Sequence, residues 1–130
     1  MTSKSIDSKV SPVTSLIPKA TTTTTTGTAV DLQNYESAEI LVDAGVITDG
    51  THVISLTECA TSGGTYTAVA AADLIGTPPT LTSTAGGSSV QKFGYKGSKR
   101  YLKVVSTVSG ATTGGVYGAC VVRSNPRHIS

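Results

Sequence analysis

A chain of 130 residues with a net charge of +2, two cysteines and no tryptophan is sized for one domain with a real core. Val, Ala and Leu set among abundant Thr, Ser and Gly are the composition of an all-β protein with many short turns. Charge is segregated: residues 1–73 hold all eight carboxylates against three lysines, and residues 74–130 hold seven basic groups and no acid, which suits internal cross-strand pairing or contacts with other copies or an acidic neighbour.

Residues 1–20 show neither helical nor strand periodicity, and Pro12 and Pro18 break any helix, so they read as an extended or disordered arm with a small apolar cluster of Val13, Leu16 and Ile17. Thr21, Thr22, Thr23, Thr24, Thr25 and Thr26 follow as an uncharged, β-branched run. That run is either a linker or a segment that lies along another subunit's sheet edge. The arm is therefore set at 1–27, the folded domain at 28–123 and a loose polar tail at 124–130.

Within the domain, Val30 and Leu32 share a face, and Ala38, Ile40 and Val42 alternate with Glu39 and Asp43. Gly45 and Asp49-Gly50 mark turns. The stretch His52–Val69 reads as a hairpin, with Ile54 and Leu56 inward and a reversal at Ser62-Gly63-Gly64 that uses positive φ; after it Tyr66, Ala68 and Ala70 share a face. Ala71–Gly76 starts a helical turn that Gly76 and Pro78-Pro79 end, and residues 76–89 are loop by composition. Val90–Tyr95 alternates, Tyr101–Val108 is apolar on both faces as a central strand would be, and Val116–Val122 closes the domain. Seven or eight short strands at this spacing predict an antiparallel β-sandwich of jelly-roll or immunoglobulin-like type.

No catalytic constellation is visible, and no enzyme activity or cofactor is expected. Gly94-Tyr-Lys-Gly-Ser-Lys99 lacks the ending of a phosphate loop. His52, Cys59, Cys120 and His128 contain no close pair of metal ligands, and Asp43 and Asp49 flank a turn where solvated Asp is ordinary. The cysteines are expected as buried thiols in a reducing compartment. Lys92, Lys96, Lys99, Arg100 and Lys103, interleaved with Phe93, Tyr95 and Tyr101, have the composition of a single-strand nucleic-acid platform, but a solvated turn with snorkelling lysines is preferred and nucleic acid is not expected as a partner. Arg100 is placed to anchor a carboxylate such as Glu58 or Asp73. No stretch is long enough to span a bilayer and no signal peptide is recognised, so folding in the cytoplasm without a membrane partner is expected.

The segments AVDLQNYESAEILVDAG (29–45), SLTECATSGGTYTAVAAADLIG (55–76), GYKGSKRYLKVV (94–105) and GACVVRSNPRH (118–128) resemble a family of small proteins encoded in the head gene clusters of tailed bacteriophages. The likeness covers about residues 29–128; where the family's hairpin often reads Ser-Asp-Asp-Gly, this chain has Thr61-Ser62-Gly63-Gly64. It implies a non-enzymatic virion component on the capsid surface, a cement or decoration protein that clamps the major capsid protein as a dimer or trimer. The contact regions expected on that reading are Val13, Leu16, Ile17, the Thr21–Thr26 run and the basic turn Lys96, Lys99 and Arg100. The alternative is a glycan- or receptor-binding sandwich on a tail or head fibre, for which the exposed aromatics are tyrosines alone; the hairpin and the Arg-Tyr strand also resemble discoidin-like sugar-binding sandwiches.

Overall fold

The computed structural model describes residues 10–126. In chain order the strands are β1 (Val10–Thr21), β2 (Thr25–Thr26), β3 (Val30–Asp31), β4 (Tyr35–Ile47), β5 (Thr51–Cys59), β6 (Thr67–Ala68), β7 (Leu74–Ile75), β8 (Thr80–Leu81), β9 (Ser89–Tyr95), β10 (Tyr101–Ser109) and β11 (Gly115–Pro126). A short 3-10 turn, Ala71–Asp73, precedes β7. All ladders are antiparallel. Sheet A runs β1-β11-β4-β9-β7; in sheet B, β10 and β5 are central, with β2 and β3 along one edge and β6 and β8 along the other. The two sheets pack face to face as an all-β sandwich.

The predicted alternations determine which side chains fill it. Ile40, Val42, Ile54, Leu56, Leu102 and Val104 all lie in the core, at most 3% exposed, beside Phe93 and Val121. Cross-strand register brings Val121, Ile40 and Phe93 into one inward row of sheet A. Leu81, His52 and Val69 are among the inward residues outside the expected set. Leu81 is fully buried although its segment reads as loop, because a two-residue strand pairs it with His52. His52 is itself buried. On β6 and beyond it the buried residue is Val69, and Ala68 and Ala70, which share the opposite face as expected, are exposed. The hairpin between β5 and β6 forms, but positive φ is used elsewhere, at Gly50, Gly76, Gly86, Gly110 and Gly114, and not at Gly63 or Gly64.

The largest departure is the N-terminal segment. Residues 10–21, expected in an arm, form edge strand β1 along β11, and Thr25–Thr26 pair with β10 of the same chain, so the folded unit begins well before residue 28. At the other end β11 continues through Pro126, past the expected boundary at 123. Two register shifts, between Thr14 and Leu16 and between Leu16 and Lys19, erase the period of two and hid the strand. Pro12 and Pro18 fit an edge strand, where a missing N–H costs nothing and blunts pairing with other chains.

The first bulge has a structural purpose. It turns Ser15 and Leu16 inward in succession; Ser15 is 1% exposed and Leu16 is 4% exposed. The Ser15 hydroxyl accepts the Val104 N–H (3.1 Å) and donates to the Thr28 carbonyl (2.8 Å), and the Thr28 N–H donates to the Ser15 carbonyl (2.8 Å). A side chain from sheet A thereby fills the break between β2 and β3 on sheet B. Gly27 is needed there, because a Cβ would collide with Ser15 and with the Val104 carbonyl.

At the opposite end, Asp49 organises the turn before β11. Its carboxylate accepts the backbone N–H groups of Thr112, Thr113 and Gly114, at 2.6 Å for the last, which hold it below the ordinary carboxylate range. His52 Nε2 bonds the Asp49 carbonyl (3.0 Å), which can only accept. Nε2 therefore carries a ring proton, Nδ1 shares a hydrogen bond with the Tyr117 hydroxyl (2.8 Å), and that hydroxyl shares another with Ser106. This chain of bonds ties the two sheets together through a buried polar core.

Candidate interaction surface

The outward residues of the two sheets differ in chemistry. Sheet B presents Thr51, Val53, Ser55 and Thr57 opposite Ser109, Thr107, Val105 and Lys103, a largely hydroxylated face. Sheet A carries five of the six large aliphatic side chains exposed among the described residues: Ile17, Val46, Ile75, Val90 and Val116, between 48% and 67% exposed. Antiparallel register sets Thr14, Cys120, Leu41 and Lys92 in one outward row, with Gly118, Asp43 and Val90 in the next.

These rows enclose a groove of about 280 Å³. Gly118 and Cys120 form its floor, Thr14 and Pro18 one wall, and Leu41, Asp43 and Val90 the other. The groove depends on glycine at 118, since a Cβ there would run into Pro18. Burial holds the Cys120 thiol above its ordinary value, with the Asp43 charge acting in the same direction.

The expected contact residues do not converge on one site. Leu16 is in the core and Val13 packs against it; Thr21 is buried, and Ile17 alone of the apolar cluster remains exposed. The remaining threonines are built into the fold instead of forming a linker: Thr24 Oγ1 accepts the Val108 N–H (3.0 Å), and Thr25 donates to the Thr23 carbonyl (3.0 Å), while Thr22, Thr23, Thr24 and Thr26 stay exposed. Lys96 and Lys99 are exposed at the far end of the sandwich. Arg100 anchors a carboxylate, but the partner is Asp31 and neither Glu58 nor Asp73: two bonds of 2.8 Å form a fork, and a third of 2.6 Å reaches Gln33. That fork is the first cause of the lowered Asp31 pKa. Beside it lies a polar cleft of about 310 Å³ lined by Tyr35, Gly97, Ser98, Lys99 and Arg100.

The aromatic platform expected of a nucleic-acid or sugar site is not assembled. Phe93 and Tyr95 are 1% and 4% exposed, and Lys92 projects from the opposite side of β9. Tyr95 bridges the sheets by donating to Glu58 (2.7 Å) and accepting the Lys99 N–H (3.0 Å); burial, with the Glu58 carboxylate, raises its phenol well above the ordinary value. The half-buried tyrosines each have a cation over the ring: Arg123 on Tyr35, Lys103 on Tyr66 and Arg100 on Tyr101.

Cys59 and Cys120 are free thiols on different sheets, as expected in place of a disulfide, but half-buried instead of buried. Backbone N–H of Thr61 is the main cause that lowers the Cys59 pKa. His128 lies outside the described residues, and among those described no group of three or more His, Cys, Asp or Glu is gathered as a metal site. No described helix is long and apolar enough to cross a membrane.

No protein-family model, curated protein or solved structure matches this chain.

Proposed function

We propose that this protein is a non-catalytic virion component, a cement protein that binds the major capsid protein on the capsid surface through the outer face of sheet A. The observation that carries the reading is the concentration of exposed Ile17, Val46, Ile75, Val90 and Val116 on that one sheet, around an apolar groove. Solvent-facing aliphatic side chains gathered on a stiff surface are the signature of a docking face. The phage-head resemblance of residues 29–128 supplies the identity of the partner.

The four longer strands β1, β11, β4 and β9, about 4.8 Å apart with outward rows about 6.6 Å apart, give the face an area on the order of 600 Å², to which the two-residue β7 adds Ile75. A stable one-to-one complex uses about 800 Å² per partner. Single contacts of this size are weak, and repetition over a shell makes the coat stable, which favours a homo-oligomeric protein.

Cosedimentation of the purified chain with empty capsids of the encoding phage tests the reading. Saturable binding at a fixed ratio to capsid subunits is expected, and the Val90→Lys, Val116→Asp double variant loses at least about tenfold in apparent affinity. Absence of binding to intact capsids, together with glycan-array binding by the chain, would replace this reading with the fibre-module alternative.

A further inference from the structure

Two loops cross between the sheets at the same end of the sandwich: residues 32–34, from β3 to β4, and residues 96–100, from β9 to β10. They are tied to each other, because the Leu32 N–H donates to the Arg100 carbonyl (2.7 Å) and the Arg100 guanidinium holds Asp31 and Gln33. Each is also fixed locally. The Tyr35 N–H reaches the Leu32 carbonyl (3.0 Å), the Gln33 N–H reaches Asp31 Oδ1 (2.9 Å), and the Lys99 N–H reaches the Tyr95 hydroxyl (3.0 Å). Gly97 lets the second loop lie on Tyr95, since a Cβ there would meet its ring and hydroxyl. The polar cleft of about 310 Å³ at these loops is thus held open by the fold, with its walls set before a ligand arrives. Its size falls at the lower end of the about 300–1,000 Å³ of small-molecule sites, which suits one small ring.

The lining narrows what that ligand is. Arg100 is neutralised by Asp31, and Glu36 is already engaged, so the uncommitted charge of the cleft is the Lys99 ammonium, which has no ion pair among the described residues. The Asn34 amide and the Ser98 hydroxyl also line it, and neither makes a hydrogen bond among the described residues. Both groups donate and accept, which matches hydroxyls on a ligand. Tyr35 supplies a half-buried ring, held by Arg123 over its face at 4.6 Å. Apolar side chains are few on this lining, Leu32 and Ala38, too few for a lipid tail. Single-stranded nucleic acid needs a basic groove with successive bare rings, and the cleft offers one cation and one such ring.

We propose that this cleft binds a sugar acid, with the ligand carboxylate on Lys99, its hydroxyls on Asn34 and Ser98, and its ring against Tyr35. The site is independent of the docking face. It shares no residue with the exposed aliphatic set of sheet A, so a copy docked through that sheet keeps the cleft free. One small polar ring in an open cleft binds weakly, and repetition over many copies turns such contacts into firm attachment to a surface that carries acidic saccharides.

Titration of the nitrogen-15-labelled full chain with glucuronate, read by amide chemical shifts, tests it. Saturable shifts confined to residues 32–38 and 95–100 are expected, with a Kd on the order of 1 mM, and glucose binds at least about tenfold more weakly because it lacks the carboxylate. Lys99→Ala brings glucuronate down to the level of glucose. Asn34→Gly removes the amide but keeps a residue that accepts the φ of 73° found there, and it weakens both sugars about tenfold. No saturable shift up to about 50 mM glucuronate, or glucose binding as well as glucuronate, overturns the proposal. So does acetate binding as well as glucuronate, which would mark an adventitious ion only. Capsid cosedimentation keeps the two readings apart: Lys99→Ala binds capsids as wild type does, and loss of capsid binding in that variant would make the cleft a capsid contact and overturn its assignment to a sugar.

Discussion

Replacing Ser15 by Ala tests the central claim about how the two sheets are joined. The substitution keeps the backbone conformation and removes one oxygen, which is 1% exposed with its residue and bonded to both Val104 and Thr28. Thr28 is exposed, so water can replace the hydroxyl at its carbonyl. Val104 is fully buried, and its N–H loses its acceptor with no route to solvent. An unsatisfied buried donor costs about 1–3 kcal/mol. Taking about 2 kcal/mol, the melting temperature of a domain this size falls by roughly 8 °C. Urea unfolding should show a lower midpoint with an unchanged slope, because the surface exposed on unfolding is nearly the same. Thr14→Ala, one residue away and exposed, is the control and should stay within about 0.5 kcal/mol of wild type. Equal midpoints for the two variants would refute the idea that β1 is pinned to sheet B through Ser15.

Tyr117→Phe removes the hydroxyl that joins His52 to Ser106 and leaves His52 Nδ1 without its partner, so urea unfolding should report a loss of about 1–3 kcal/mol; a loss below about 0.5 kcal/mol would mean the network is not cooperative. Backbone N–H groups of Gly114, Thr113 and Thr112 hold the folded-state pKa of Asp49 below the ordinary carboxylate value, so its contribution is fully present above that value and disappears as pH falls through the folded one. Asp49→Asn should therefore flatten the acid limb of a plot of urea midpoint against pH between 6 and 2, and an acid limb as steep as that of wild type would count against the turn assignment. Capsid binding through sheet A should weaken little between 50 and 500 mM salt, whereas docking through Lys96 and Lys99 would fall steeply over that range.

The sheet core was legible because its residues obey a period of two without interruption. Ala38, Ile40 and Val42, then Ile54 and Leu56, then Leu102 and Val104 follow it, and each is buried. The same rule carried two places back from Ile54 would have placed His52 inward. The N-terminal strand was not legible: its bulges put Ser15 and Leu16 inward side by side, and its two prolines carry the composition of a linker. Leu81 was hidden for another reason. A two-residue strand has no periodicity to detect, and its burial is decided by the partner His52, not by its neighbours in sequence. The groove was equally hidden, because a floor of Gly118 and Cys120 becomes a feature only when β1 bends Pro18 over it.

The acidic first part and basic second part of the chain acquire a meaning from the topology. Asp31 and Glu39 come from the acidic part, and they meet Arg100 and Lys92 from the basic part. Arg123 is likewise taken up by the Ser11 hydroxyl and carbonyl, by the Asp31 carbonyl and by the Tyr35 ring. Part of what reads in sequence as a charge asymmetry offered to partners is thus spent on contacts within the same molecule. Exposed pairs of this kind contribute about 0–1 kcal/mol each, so their main effect is on register and specificity, not stability. What sheet A offers to other molecules is then an apolar face with one carboxylate uncommitted by an ion pair. A partner that recognises such a face must bring an aliphatic side chain and a cation held close together.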